Sequence, residues 1–273
     1  MSLTINTNAA SLNAQRNLAA TQSSLATSMQ RLSSGLRVNT AKDDAAGLAI
    51  ADRMNAQVRG MNVAMRNTND GISLLQTADG AASKITDMLQ RMRELAVQAA
   101  NGTNGSGDLT NLDAEYQSLN TEITRVVGST KFNGQNLLDA TGGTSGAFTF
   151  QVGSGSADQV TITLSDLSAA AAGGDLTSNS NATTALGAID TALDLVTTQR
   201  ANYGASQNKL DAIVSTLQIG AENLSTARGR IVDADFAQET ANLSRAQIMQ
   251  QAGTAMVAQA NQLPQGVLAL LRG

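Results

Sequence analysis

The sequence predicts a mainly α-helical protein: a long antiparallel coiled-coil bundle with paired N- and C-terminal helices and a small β-hairpin region. Apolar residues recur at alternating steps of three and four over most of the chain, which is the periodicity of packed helices. The 273 residues include a single Pro, so long helices are permitted. There is no Trp, and the only aromatic residues are two Tyr and four Phe. The apolar residues are mostly Ala, Leu, Ile, Val and Met, which is typical of a core formed by helix–helix contacts.

The composition also limits the chemistry that the chain could perform. It has no Cys and no His, which removes disulfides, thiol nucleophiles and the commonest general base and metal ligand. Oxygen-ligated ions and carboxylate chemistry stay open at this point. We expect a protein that is not an enzyme and that has no cofactor or metal site. The formal net charge of -4 and the pI of about 4.8 give no reason to expect nucleic acid as a partner.

No apolar run approaches the roughly 18 residues that a membrane span requires, so we expect no membrane insertion. Residues 1–20 also lack the compact apolar block of a cleaved secretory signal. These features predict a protein that stays in the cytoplasm or leaves the cell without a cleaved signal peptide.

The first helix is expected over about residues 8–34, where leucines recur every seventh residue, and Gly35 is a suitable end for it. Its narrow apolar stripe makes it marginal in isolation. In the connector that follows, Asp43 or Asp44 suits an N-cap. A catalytic pair of these two carboxylates is a weaker alternative, because adjacent helix residues do not face one another.

A second helical pattern runs for about 50 residues, over 47–99, and a third helix is expected over about 109–127. Phe132-Asn133-Gly134 indicates a turn. Alternating apolar residues at 148–152 and 160–164 predict a β-hairpin. The small and polar residues of 168–184 are typical of a surface loop.

The most regular heptad run, here called the central seam, follows this region. Its members are Ile189, Val196, Tyr203, Leu210, Leu217, Leu224 and Ile231. A helix of this kind pairs with another long helix, and residues 47–99 are the obvious partner. We expect residues 43–236 to form one rod-shaped domain, with the β-hairpin region at about 140–184.

The two ends of the chain carry a second, weaker set of spaced apolar residues, here called the terminal seam. Its members are Leu18, Leu25, Leu32, Met249, Met256, Leu263 and Leu270. Small residues dominate the positions between them, so this pair of helices lacks a large core of its own. We expect residues 1–42 and 237–273 to form a terminal coiled-coil domain that orders when copies of the chain associate. If the contacts between copies are head-to-tail and do not close, the product is a helical filament.

Charge is distributed unevenly, because no Asp or Glu occurs before Asp43 or after Glu239. The basic residues of the N-terminal arm are Arg16, Arg31, Arg37 and Lys42. Two interpretations stay open: a solvated basic face, or a face that meets acidic surface on a neighbouring copy.

Several blocks of the chain resemble bacterial flagellin, the subunit of the flagellar filament. They include RLSSGLRVNTAKDDAAGLAI, QRMRELAVQAANGT and KFNGQNLLD, and the order of the blocks also matches. The resembling stretches are Leu12–Leu18, Arg31–Ile50, Asn69–Ala81, Gln90–Thr103, Lys131–Asp139 and Asn223–Arg272. Together the matching regions span roughly residues 1–140 and 185–273. Only about 45 residues lie between Asp139 and Leu186, so the resemblance is to a short form without extra outer domains.

The resemblance implies a partner set and a location. Similar proteins are exported unfolded through the flagellar channel, held beforehand by a chaperone at the C-terminal segment. They fold beneath a filament cap, on a base of hook-junction proteins, and assemble with copies of themselves. The terminal helices then form an inner tube and the middle domain an outer tube of an extracellular filament that serves motility.

The resemblance also implies a contact patch for a flagellin-sensing Toll-like receptor of a host. Arg91 and Leu95 lie four residues apart on one side of a helix, and Glu115 matches the glutamate of the next helix. The alternative is that Leu95 packs on a neighbouring helix or subunit while Arg91 and Glu115 are ordinary surface charges.

Three other functions are alternatives for a sequence of this kind. A hook–filament junction protein has similar associating terminal helices but lacks a C-terminal block ending LPQGVLALLR. An intracellular signalling coiled coil fits the Ala-, Ser- and Gln-rich pattern but not a β-hairpin in the middle. An enzyme would have to use Asp233 and Asp235, which lie two apart and do not share a helix face.

Overall fold

The computed structural model describes residues 7–171 and 173–271, and the side chains of this part as far as residue 262. It contains five long helices, a 3-10 turn and two small antiparallel sheets. The helices are α1 (Ala9–Ser34), α2 (Ala45–Ala99), α3 (Ser106–Ser129), α4 (Asn179–Val232) and α5 (Phe236–Leu271). The strands are β1 (Lys131–Phe132), β2 (Gln135–Asn136), β3 (Ala147–Gln151) and β4 (Gln159–Thr163). The predicted mainly α-helical fold is confirmed.

Helix α1 begins and ends where its capping residues lie. The Asn8 side chain accepts a hydrogen bond from the Ser11 amide at 3.1 Å, which satisfies one of the free amides of the first turn. Gly35 adopts the left-handed conformation, with φ of 71°, and its amide donates to the Arg31 carbonyl at 2.8 Å. Glycine takes this conformation without steric cost, so the predicted end of the helix is confirmed.

Two adjacent aspartates organise the start of α2. The Gly47 amide donates to Asp44 Oδ1 at 2.8 Å, so Asp44 is the N-cap. Asp43 instead accepts from the Thr40 amide at 2.9 Å. That backbone hydrogen bond is the largest influence on the carboxylate and lowers the pKa of Asp43. The capping interpretation of this pair is confirmed, because each carboxylate is held by local backbone amides.

The hairpin region follows the predicted alternation. Strands β3 and β4 pair antiparallel, with Phe148 opposite Ile162 and Phe150 opposite Val160. These four side chains are buried or half-buried against the core, which accounts for the apolar positions of the alternation. The predicted turn at Asn133-Gly134 joins β1 to β2, and both residues have positive φ, 48° and 80°.

The expectation of a surface loop over 168–184 is wrong in two places. Residues Ser168–Ala170 form the 3-10 turn, in which Ala170 is buried, and Leu176 is also buried. Helix α4 begins at Asn179, whose side-chain amide donates to the Ala99 carbonyl at 2.9 Å. Small side chains allow this segment to lie close to the helices. Some of its residues are therefore part of the core, although its composition is typical of a loop.

The chain divides into two compact units, Met1–Ala56 with Asn223–Gly273 and Gln57–Glu222. We call them the terminal unit and the central unit. The central unit holds the large apolar core, to which α2, α3, α4 and the β3–β4 hairpin all contribute buried side chains. The expected assembly domains, 1–42 with 237–273 and 43–236, stay a prediction about how the chain is divided between two tubes of a filament.

Candidate assembly surface

In the terminal unit, α1 and α5 pack antiparallel along their length. Ser11 Oγ donates to Asn261 Oδ1 at 2.7 Å near one end. Further along the pair, Leu18 packs on Gly253, where an added Cβ would lie 3.1 Å from Leu18 Cδ1. The close approach depends on the small residues that the sequence places between the larger apolar ones.

The face of α5 that turns towards α1 can be followed from burial. Its residues are less exposed than their neighbours and recur at steps of four and three. They are Glu239, Leu243, Ala246, Gln250, Gly253, Val257 and Ala260. This is a heptad stripe in which two of the seven positions are polar.

The terminal seam residues lie partly on this contact and partly beside it. Leu18, Leu25 and Leu32 of α1 are half-buried. Met249 and Met256 of α5 lie at the edge of the helix pair, and 54% and 63% of their surface is exposed. The side chains of Leu263 and Leu270 lie outside the described residues.

The connectors at the end of the helix pair are joined by backbone hydrogen bonds. The Ala234 amide donates to the Gly35 carbonyl at 2.9 Å, and the Arg37 amide donates to the Val232 carbonyl at 2.7 Å. The Arg37 guanidinium also donates to the Ile231 carbonyl. This short bridge fixes the point at which the two ends of the chain meet.

Beside the exposed methionines, α1 and α5 enclose an open groove, here called the terminal groove. Its lining is mostly small or apolar and carries no charge. The lining residues are Ala10, Asn13, Ala14, Asn17, Leu18, Thr21, Met249, Ala252, Gly253 and Met256. An adjoining depression continues along the same side of the helix pair, past Thr21 and Met249 to Ser28 and Arg245. The terminal unit therefore presents a long, nearly neutral surface with two protruding thioethers.

The central seam is buried most completely within the central unit. Ile189, Val196, Tyr203 and Leu210 are fully buried, and Leu217 is 8% exposed. The last two members, Leu224 and Ile231, are half-buried and belong to the terminal unit.

Beside Tyr203, the chain buries polar atoms that are poorly satisfied. Gln199 lies one turn earlier on α4, and neither Tyr203 Oη nor Gln199 Nε2 completes a hydrogen bond within the described part of the chain. Burial raises the pKa of Tyr203 to about 12.

The three residues expected to meet a receptor are divided between surface and core. Arg91 and Glu115 are exposed and form an ion pair at 2.9 Å between α2 and α3. Arg91 also binds Glu94 at 2.9 Å, and hydrogen bonds to Glu94 and Glu115 raise the pKa of the guanidinium. Leu95 is only 1% exposed and packs in the central core behind this pair.

Among the described residues, no three Asp or Glu side chains gather in a way that could hold a metal ion. Over the same part of the chain, no helix combines the length and apolar character needed to cross a bilayer.

The fold and the exposed surface of α1 and α5 define an α-helical structural protein whose terminal helices are suited to self-association. The family model for the bacterial flagellin N-terminal helical region matches residues 5–142, and the one for the C-terminal helical region matches residues 186–271. The chain belongs to the bacterial flagellin family. Membership of this structural family implies a non-enzymatic role.

Relatives match over nearly the whole length of the chain. The flagellin of Halalkalibacterium halodurans is 47% identical, with 98% of this chain and 99% of that protein covered. The flagellin of Bacillus subtilis is 40% identical at the same coverage. This full-length similarity supports a structural subunit of the flagellar filament, in a short form, and does not favour the junction-protein or signalling alternatives.

Solved structures agree with the fold. The crystal structure of Bacillus cereus flagellin has a TM-score of 0.52 and 37% identity, covering 56% of this chain and 88% of that one. A putative flagellar hook-associated protein from Vibrio parahaemolyticus has a TM-score of 0.60 over 70% of this chain and all of that one. Its identity of 13% makes this second likeness one of fold alone.

Proposed function

We propose that this chain self-assembles, head to tail, into the helical filament of a bacterial flagellum. Residues 1–42 with 237–273 form the inner tube, and residues 43–236 form the outer tube. The observation that carries the proposal is the terminal groove, an uncharged surface of two paired helices with apolar side chains left exposed. The groove lies in both of the regions that match the flagellin family.

Exposed apolar side chains support this use of the surface. Among the described residues of the terminal unit, six large ones are more than half exposed. They are Leu12, Met29, Phe236, Ile248, Met249 and Met256. Exposed apolar patches of soluble proteins commonly mark sites of association, because covering them removes apolar surface from water.

A second copy of the same helix pair is the occupant that fits the surface. The terminal groove offers small residues, such as Ala14 and Ala252, beside large ones, such as Met256. Knobs and holes on one surface suit packing between like helices. The absence of charge from the groove lining means that stacked copies would bring no like charges together there. A heterologous contact of this kind that does not close gives a helical filament.

Folding of the ends is coupled to assembly in this proposal. Helix α1 has buried polar positions, Ser11 and Ser28, and its leucines are only half-buried, so little apolar burial holds the pair together in a single chain. Copies that stack would cover the remaining apolar surface and stabilise the helices.

The proposal also includes export and capping partners, and the family relation supports them. In the proposal, the chain leaves the cell unfolded through the flagellar channel, without a cleaved signal peptide. An export chaperone holds the C-terminal segment beforehand. Hook-junction proteins and cap proteins lie at the two ends of the growing filament.

Seeded polymerisation of the purified protein tests the proposal. Filament fragments are added to monomer, and helix content is followed by circular dichroism before negative-stain microscopy. Long tubes together with a gain in helix are expected. A chain lacking residues 240–273 is the control, and it should stay soluble and not elongate the seeds. A wild-type protein that remains monomeric, or a truncated chain that forms normal filaments, would contradict the proposal.

A second role, recognition by a host receptor, is favoured by one observation: the ion pair that places Arg91 and Glu115 side by side on the surface. In this proposal Leu95 supports the patch from the core, because its side chain is buried in the single chain. The test compares Arg91→Ala with Arg93→Ala in cells that report activation of a flagellin-sensing Toll-like receptor. Arg93 is a matched control, since it is similarly exposed and pairs with Asp190 at 2.8 Å. Loss of activation with the first variant alone is expected, and equal effects would contradict this role.

A further inference from the structure

Methionine is the side chain of this protein that is most open to reversible oxidation. The sequence has nine Met and no Cys, Trp or His. Thioether sulfur takes up one oxygen atom to form a sulfoxide, which converts a flexible apolar side chain into a polar one. The position of each thioether therefore decides which function oxidation would affect.

Exposure separates the methionines into classes. Met92 is fully buried in the central core, whereas Met249 and Met256 are more than half exposed. Met29 is also 52% exposed, but it does not line the terminal groove. Oxidants reach exposed thioethers first, so Met249, Met256 and Met29 should react before Met92.

Of the three described methionines that are more than half exposed, two line the terminal groove. Met249 and Met256 are seven residues apart and therefore share one side of α5, where both line the terminal groove. The lining around them is mostly small or apolar, as at Leu18 and Ala252, and its polar side chains are those of Asn13, Asn17 and Thr21. While the groove faces water, a sulfoxide at either position is solvated. Covering it with a second copy would remove that water.

We propose that Met249 and Met256 form a reversible modification site, at which oxidation to the sulfoxide blocks self-assembly. This inference rests on the proposed function. In the forward step, a peroxide transfers one oxygen atom to the thioether sulfur. The sulfur loses two electrons, and hydrogen peroxide is reduced to water. In the reverse step, a methionine sulfoxide reductase uses two thiols, which become a disulfide, and releases the oxygen as water.

The test uses the full-length protein and hydrogen peroxide as the oxidant. Samples from a graded peroxide series are mapped by mass spectrometry to place each sulfoxide, and each sample is then assayed for seeded elongation. We expect sulfoxides at Met249 and Met256 before Met92, with a fall in elongation rate of roughly tenfold, since a polar group must be desolvated at each contact. Treatment with methionine sulfoxide reductases and a thiol should restore elongation.

Two leucine variants supply the controls, because Leu replaces Met at similar volume and cannot form a sulfoxide. The double variant Met249→Leu with Met256→Leu is compared with itself, and peroxide should not change its elongation rate from the value that it has before treatment. Met29→Leu should remain as sensitive as the wild type. Continued sensitivity of the double variant would overturn this inference while leaving the proposed function intact.

The reductase experiment gives a readout that needs no variant. Recovery of elongation must follow the disappearance of the sulfoxides at Met249 and Met256, and recovery while both persist would overturn the inference. An untreated wild-type protein that does not elongate would overturn the proposed function, and this inference with it.

Discussion

Leu18 of α1 packs so closely on Gly253 of α5 that a Cβ at position 253 would lie 3.1 Å from Leu18 Cδ1. A glycine in a helix interior usually costs about 0.5–1 kcal/mol relative to alanine. Here it permits the approach of two helices that have few large side chains between them. The contact makes this position a sensitive test of the terminal pair.

Replacing Gly253 with valine should abolish seeded elongation although it raises the helix propensity of α5. The branched side chain would force Leu18, and with it α1, away from α5. Ala255→Val is the matched control, because position 255 is exposed on the same helix. The elongation rate and the melting temperature of each variant are measured. Gly253→Val should leave the main unfolding transition, that of the central unit, unchanged. Normal elongation by this variant would show that the Leu18–Gly253 contact does not matter for assembly.

Two glycines of α2 should respond in opposite ways to alanine. A Cβ at Gly80 meets nothing within 4 Å, so Gly80→Ala should raise the free energy of unfolding by about 0.5–1 kcal/mol. A Cβ at Gly60 would lie 2.9 Å from Ser154 Cβ, in the turn that joins β3 to β4. Gly60→Ala should therefore lower the free energy of unfolding by about 1 kcal/mol, because the hairpin turn must move. Urea titrations measure the free energy of unfolding of each variant. An equal increase from both substitutions would mean that the hairpin turn can move without a loss of stability.

Burying a charge in the central seam should unfold the central unit. Leu217 is 8% exposed, whereas Ile219, two residues further along α4, is 62% exposed. Leu217→Asp is expected to lower the free energy of unfolding by about 3 kcal/mol or more, since a carboxylate would be desolvated without a partner. Ile219→Asp should change it by no more than about 0.5 kcal/mol. Circular dichroism during thermal unfolding compares the two. Similar melting temperatures would place the core elsewhere on α4.

The phenol of Tyr203 should make the protein less stable in alkali. Its pKa is raised by burial to about 12, above the ordinary value of about 10, so the folded state retains a proton that the unfolded state loses. The free energy of unfolding should therefore fall as the pH rises from about 10 to about 12.

Tyr203→Phe removes both that titration and a buried hydroxyl for which the described part of the chain supplies no well-formed hydrogen bond. At pH 8 the variant should be as stable as the wild type or up to about 1 kcal/mol more stable. Between pH 8 and pH 11 it should lose about 1 kcal/mol less than the wild type. Tyr116 is present in both proteins, so its contribution cancels. Urea titrations at the two pH values measure these losses. If the wild type and the variant lose the same free energy of unfolding, Tyr203 does not titrate as its burial predicts.

Local signals in the sequence account for most of the secondary structure. Gly35 ends α1 and Asp44 begins α2 because each satisfies backbone groups within a few residues of itself. The alternation around Phe150 and Ile162 predicts the hairpin, since one side of each strand must be buried. The composition of segment 168–184 wrongly predicts a surface loop, because composition cannot show whether small residues are exposed or packed closely. Leu176, which is fully buried, was the one signal of the core in that segment.

On α5 the sequence contains two overlapping heptad stripes that share Ala246, Gly253 and Ala260. One stripe adds Met249 and Met256, and the other adds Gln250 and Val257. The two stripes have the same heptad spacing, so spacing does not distinguish them. The greater hydrophobicity of the methionine stripe favours that stripe as the contact with α1. Packing in the terminal unit turns the Gln250 stripe towards α1 and leaves the methionines exposed.

The sequence by itself therefore determined the helices, the hairpin and the membership of a structural family, because these follow from caps, periodicity and blocks of matching residues. Only the tertiary structure decided which side of each terminal helix faces its partner, and so which side remains open. That choice depends on how the side chains of the two helices fit together on either side of the shared Gly253, which is a property of both helices together and of neither sequence alone.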